Sequence, residues 1–376
     1  MQERTGVLTG PWGPVLAGAA LGVLAPLLVE RGNPPNMGVC AACFTRDTAG
    51  ALGLHRAEAV QYVRPEILGV VLGALVASLA SREFRPRTGS SPVVRFLLGM
   101  FAMTGALVFL GCPWRGVLRL AAGDLNAAVG MAGLVAGVVA GVFFLRRGFG
   151  LGRSREASPA VGWILPALSA ALLLLLALDA RLGPAGPDGA RAGPLFSSSK
   201  GPGSQHAPLL LSLGAGLAVG FLFQRSRLCT VGAFRNLLLA RDAGLLRGIV
   251  AMFAAATAVN LVLQQARPGG TLWRLGFEGQ PIAHASHLWN FLGMVLAGTA
   301  FTLGGGCPGR QTVLAGEGDG DAGVFVLGMV AGAAFAHNFA LASGPGGPSE
   351  AGPFAVVAGL AVCAILGFSM KEPRAA

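Results

Sequence analysis

Apolar residues run along this chain in blocks of about 17–25, the length that carries a helix across a bilayer. The blocks fall near 12–30, 63–81, 93–111, 126–146, 160–181, 207–224, 244–264, 285–305, 322–342 and 353–370, which makes ten expected spans. The first, roughly Pro14 to Val29, runs on into further spans without a clear cleavage site and is read as a span, not a removed signal. The stretch from Gly183 to Gln205 breaks the pattern with Gly, Pro and Ser, in the manner of a flexible linker. It divides the chain into a first transmembrane repeat at 1–182, a linker at 183–206 and a second repeat at 207–376.

Five spans per half is an odd number, and an odd repeat turns its second copy upside down, the inverted plan of many transporters. Four further segments, about 37–53, 112–123, 226–241 and 307–316, are too short to cross and all begin near a cysteine. They are expected to be re-entrant half-helices, since backbone can break at membrane depth where it lines a cavity. The expected fold is therefore an all-α polytopic membrane protein, about ten transmembrane helices in two inverted five-helix repeats with short re-entrant helices.

Composition agrees: of 376 residues, 53% are hydrophobic and 12% charged, and the mean hydropathy is +0.64. A soluble domain carries roughly 25% charged residues. Fifty-nine glycines include ladders at Gly133, Gly137 and Gly141, at Gly216 and Gly220, and at Gly328 and Gly332, of the kind that lets membrane helices approach closely. The net charge of +11 falls in short loops and beside cysteines, not on a nucleic-acid module. Some of it sets orientation and some attracts anions. With ten spans, 17 of the 28 basic residues share one side, which the positive-inside rule makes cytoplasmic together with both termini.

Six cysteines in so long a chain do not form a disulfide framework. No histidine pair has zinc-ligand spacing near a cysteine, and neither a metal nor a cofactor is expected. The informative pattern is repetition. Gly111-Cys112-Pro113-Trp114-Arg115 returns as Gly306-Cys307-Pro308-Gly309-Arg310, 195 residues later. Upstream, Cys40 with Arg46-Asp47 returns as Cys229 with Arg235-Asn236, 189 residues later. Proline after a cysteine places the thiol at the start of a short helix, where unpaired N–H groups and the dipole favour an anion. Arg115 and Arg310 follow about one turn on. Cys43 completes a C-x-x-C with Cys40 but faces Gly232 in the other half, and Cys363 reads as a core residue. Gln224, ending the sixth span, and His337, interrupting the ninth, are further polar candidates at membrane depth. Asp124 and Asn126 precede the fourth span, and His284 and His287 sit at a span edge. No Walker loop, Ser-His-Asp set or paired-carboxylate site is apparent, so the chain is read as a transporter, not an enzyme.

These motifs resemble the YeeE/YedE family of prokaryotic membrane proteins, whose studied members import thiosulfate. Phe223-Gln224-Arg225-Ser226-Arg227-Leu228-Cys229 and Gly304-Gly305-Gly306-Cys307-Pro308-Gly309 carry the likeness most specifically. The run Asn36-Met37-Gly38-Val39-Cys40-Ala41-Ala42-Cys43-Phe44, with Gly111-Cys112-Pro113 and Gly123-Asp124-Leu125-Asn126, is similar to a branch linked to selenium metabolism. The resemblance implies passage of an anion along thiols at Cys112, Cys229 and Cys307, with Cys40 as the branch's variant. It implies a multi-pass protein of a prokaryotic inner membrane that takes a small selenium- or sulfur-containing anion, and a small soluble sulfur-carrier protein as a candidate partner. Two other readings stay open: a membrane thiol oxidoreductase using Cys40 and Cys43, and a membrane partner of a soluble sulfur or selenium carrier.

Overall fold

The structure, a computed structural model, describes residues 6–178, 195–266 and 272–371. Residues 183–194 of the expected linker lie outside them. The first half runs α1 (Gly13–Glu30), α2 (Ala41–Ala51), α3 (Pro65–Ala80), α4 (Pro92–Phe109), α5 (Pro113–Ala121), α6 (Asn126–Arg146) and α7 (Pro159–Ala177). The second runs α8 (Leu209–Ser226), α9 (Thr230–Ala240), α10 (Gly244–Ala266), α11 (His287–Gly304), α12 (Pro308–Gly316), α13 (Gly320–Asn338) and α14 (Gly352–Ser369). The protein is an all-α multi-pass membrane protein: nine helices among the described residues are long and apolar enough to cross a bilayer. The second expected span, 63–81, is α3, whose 16 residues reach only about 24 Å at the usual rise. Proline stands in the first turn of α3, α4, α5, α7 and α12, where its missing N–H costs nothing.

Helices of one half pack on helices of the other: α1 on α10, α3 on α8, α6 on α11, α4 on α13, and α4 against α11. Small residues make the contacts, because lipid supplies no hydrophobic drive between spans and close packing must do so instead. A side chain at Gly133 would strike the backbone of Phe291 and one at Gly137 that of Val295, so this ladder joins α6 to α11. Gly216 and Gly220 meet the α3 backbone at Glu66 and Val70, and Gly328 and Gly332 meet the α4 backbone at Phe96 and Met100.

Polar loops tie the two ends of the bundle. At one end Arg87 pairs with Asp319 at 2.7 Å, Arg227 with Glu317 at 2.6 Å, and Gln224 donates to Glu83 at 2.9 Å. At the other end Asn126 donates to the Phe277 carbonyl at 2.7 Å, and Arg64 to the carbonyls of Pro202 and Gln205 at 2.6 and 2.9 Å. Since Arg64 caps the start of α3 and Ser81 its end, these are opposite ends. Gly137→Leu is expected to lower stability in detergent by about 1–3 kcal/mol through overpacking. Gly214→Ala, whose side chain meets nothing within 4 Å, is expected to keep or raise the thermal midpoint, since alanine is the better helix former.

Candidate functional site: two thiol pairs at helix N-termini

Four short helices begin inside the bundle, and a cysteine caps each: Cys40 on α2, Cys112 on α5, Cys229 on α9 and Cys307 on α12. A helix start leaves N–H groups without partners, and in an apolar bundle no water satisfies them. At α2 and α9 sulfur does so. The Cys40 sulfur accepts from the Cys43 amide at 3.2 Å, and the Cys229 sulfur accepts from the Gly232 amide at 3.2 Å. The thiols then meet in pairs: Cys40 and Cys112 lie 3.6 Å apart, and so do Cys229 and Cys307. Each pair joins one short helix from each motif, so the upstream and downstream cysteines of a half form one site. The shared role of the Cys43 and Gly232 amides explains why either side chain serves at that place.

The two pairs differ in access. Cys229 lines a cavity of about 510 Å³ at the end that holds Arg87 and Arg227. Arg85, Arg87, Arg227, Arg235 and Arg310 line it, against Glu83, Glu317 and Asp319. The five cations exceed the three carboxylates, which favours an anion inside a low-dielectric wall. Arg310 is held by Glu317 at 3.1 Å. Arg235 has no carboxylate partner among the described residues, so its charge acts on the cavity.

The other pair is closed over. Cys40, Cys43 and Cys112 are fully buried. Arg115, also fully buried, donates to the carbonyls of Asn36 and Ile282 at 2.8 Å each and to the Cys43 sulfur at 3.3 Å. Asn36 and Ile282 have φ of 57° and 50°, a left-handed conformation that is uncommon for asparagine and strained for a β-branched residue. Arg115 thus latches two loop segments over the pair, whereas its counterpart Arg310 pairs with Glu317 at the wall of the cavity.

The other expected site residues make no hydrogen bond to a thiol among the described residues. Arg46 is buried against Asp47, which also takes Arg64 at 2.8 Å; the charge is spent on this triad. Gln224 is buried and bonds Glu83. The His337 ring stands 4.5 Å from His55, and its Nε2 is buried without a partner. Asp124 pairs with Arg119 at 2.7 Å, both fully buried. His284, in the loop before α11, donates from Nε2 to the Val108 carbonyl at 2.8 Å and accepts at Nδ1 from the Ser286 amide at 3.3 Å. Burial holds its imidazole below the usual range, which suits this neutral tautomer. His287 contacts Asn126 at 3.2 Å.

Sequence reasoning passed over Trp114. It is fully buried, it packs edge-on to Phe223 with centroids 4.9 Å apart, and its indole occupies the space a side chain at position 309 would need. The signal was present as the mismatch of tryptophan and glycine between otherwise equal motifs. Asn36 and Ile282 were likewise silent, because their conformation follows from the Arg115 contacts.

The chain belongs to the sulphur-transport family, the YeeE/YedE proteins: the family model described as sulphur transport matches residues 2–141 and 225–368. This is a transport family and not a catalytic one. Both matched stretches contain one thiol pair. No curated protein is similar enough in sequence to be counted as a relative.

A small anionic thiol reagent added at the arginine-lined end is expected to modify Cys229 at least about tenfold faster than Cys40, Cys43 or Cys112, as burial limits thiol access. Mass spectrometry of digests after timed labelling checks this. Equal rates at both pairs would contradict the closed arrangement.

Proposed function

We propose that the protein is a transporter or channel for a small sulfur or selenium anion, which passes from one thiol pair to the other. The observation that carries this reading is the repeated site: two helix starts and two thiols in each half, one pair opening into an arginine-lined cavity. Arginines at the cavity concentrate the anion. Amides at the helix starts favour its charge. Protonated thiols act as weak, soft donors to sulfur or selenium, and contacts that are individually weak at several sites allow entry as well as exit. A thiolate would repel the anion, so the proposed relay uses neutral thiols.

The architecture proposed with it is two repeats, 1–182 and 207–376, joined by 183–206 and inverted with respect to each other. The exchange of partners supports it: α1 packs on α10 as α3 does on α8, and α6 packs on α11 as α4 does on α13. In this plan α2, α5, α9 and α12 are re-entrant, entering from opposite faces. The arginine-lined end then faces the cytoplasm of a prokaryotic cell, with both termini on that side. A small soluble sulfur carrier would meet the same face. Arg235 and Arg310 serve the cavity, Arg115 the closed gate, and Cys43 ties that gate to the first pair.

The test is uptake of labelled thiosulfate, selenite and selenate into proteoliposomes. One anion is expected to enter, with Cys40→Ser, Cys112→Ser, Cys229→Ser and Cys307→Ser each lowering the rate at least about tenfold, the effect of about 1.4 kcal/mol. Loss confined to Cys40→Ser and Cys43→Ser would favour a thiol oxidoreductase. Uptake only with a sulfur carrier present would favour the partner reading.

A further inference from the structure

One side chain joins the two thiol sites across the centre. Trp114 follows Cys112 by two residues at the start of α5, and its ring lies over Gly309, which follows Cys307 by two residues at the start of α12. The atoms nearest to where a Gly309 side chain would stand are Cζ2, Cη2 and Cε2, the last bonded to the indole nitrogen. Only glycine leaves room for the ring at 309. Phe223 of α8 supports the ring from the side. An indole fully withdrawn from solvent ordinarily bonds its N–H to a partner. This one has none: Nε1 is buried and unpartnered. A donor left unmet between two helix starts, where amides already favour negative charge, is a place prepared for an acceptor.

The repeats differ in a matching way at the second pair. Thr230, beside Cys229, stands where the first half has Ala41, and its hydroxyl is also buried without a partner. The residues that break the repeat thus follow a thiol by one or two positions at a helix start, where a travelling anion would leave one pair and reach the next.

We propose that Trp114 is the partition between the two thiol pairs and that its indole N–H is the neutral donor that receives the sulfur or selenium anion in transit. This rests on the transport reading above. The flat ring closes the passage when it is empty. A neutral N–H holds the anion without the tight grip of a buried guanidinium, so it neither traps the ion nor needs a counter-charge. The ligand class is an oxyanion with a terminal sulfur or selenium, small enough to lie against one indole edge.

The test uses the full-length protein in detergent and in proteoliposomes, with sodium thiosulfate as the probe and sodium chloride as the control salt. Indole ¹⁵N–H resonances of labelled protein are assigned by elimination, using phenylalanine variants at Trp12, Trp163, Trp273 and Trp289. The Trp114 resonance is expected to move in a saturable way with thiosulfate and not with chloride. Trp114→Phe keeps a ring in place but removes the donor, and it is expected to lower thiosulfate uptake about five- to tenfold, the scale of one lost hydrogen bond. An unmoved Trp114 resonance overturns the proposal, and so does unchanged uptake in Trp114→Phe while the cysteine variants are impaired. The resonance is read on protein with Trp114 intact, so it decides even if Trp114→Phe fails to fold. Absence of uptake of thiosulfate, selenite and selenate alike by the unaltered protein would instead count against the transport reading. The two failures are therefore distinguishable.

Discussion

An unpaired backbone N–H inside an apolar bundle must find an acceptor, and the four short helices raise that demand four times over. The chain answers with sulfur. At the starts of α2 and α9 a cysteine takes the place that serine or aspartate takes in a water-soluble protein: the Cys43 and Gly232 amides bond directly to the Cys40 and Cys229 sulfurs. Sulfur is a weak acceptor, so an anion with better lone pairs competes for the same amides. The same helix starts are the places where the proposed transport would hold an anion.

From that constraint the rest of the architecture follows. The short helices are buried among long neighbours, and the glycine contacts between the halves bring those neighbours close. Buried charges that serve no anion are neutralised in place, Asp47 by Arg46 and Arg64, and Asp124 by Arg119. Removing one partner of such a pair strands the other, at about 3–5 kcal/mol. Arg115 and Arg310 occupy equal positions in the two motifs yet differ in use. Arg115 bonds two backbone carbonyls and a thiol, while Arg310 shares Glu317 with Arg227 at the wall of the open cavity.

Much of this was legible in the sequence because it is local. Apolar block lengths mark the spans, and a cysteine–proline pair marks a helix start wherever it occurs. The shortness of α3 was not legible to block length, because the block 63–81 overruns the helix by only Val63 and Arg64 at one end and Ser81 at the other. Arg46 and Arg235 match in the motif but part company in space: the partners of Arg46 include a neighbour bound through Arg64 to the distant carbonyls of Pro202 and Gln205. Such pairings depend on long-range packing, which spacing along a chain does not encode. Trp114 is a similar case, for its meaning depends on the glycine that faces it from the other half.

The central claim is that the thiol pairs are where the anion rests. The most direct measurement is anomalous X-ray scattering at the selenium edge from crystals soaked in selenosulfate. Selenium density in contact with Cys229 and Cys307, and with Cys40 and Cys112 once the Arg115 latch opens, is the result this account predicts. Well-occupied selenium sites elsewhere in the bundle, with none at either thiol pair, would contradict it.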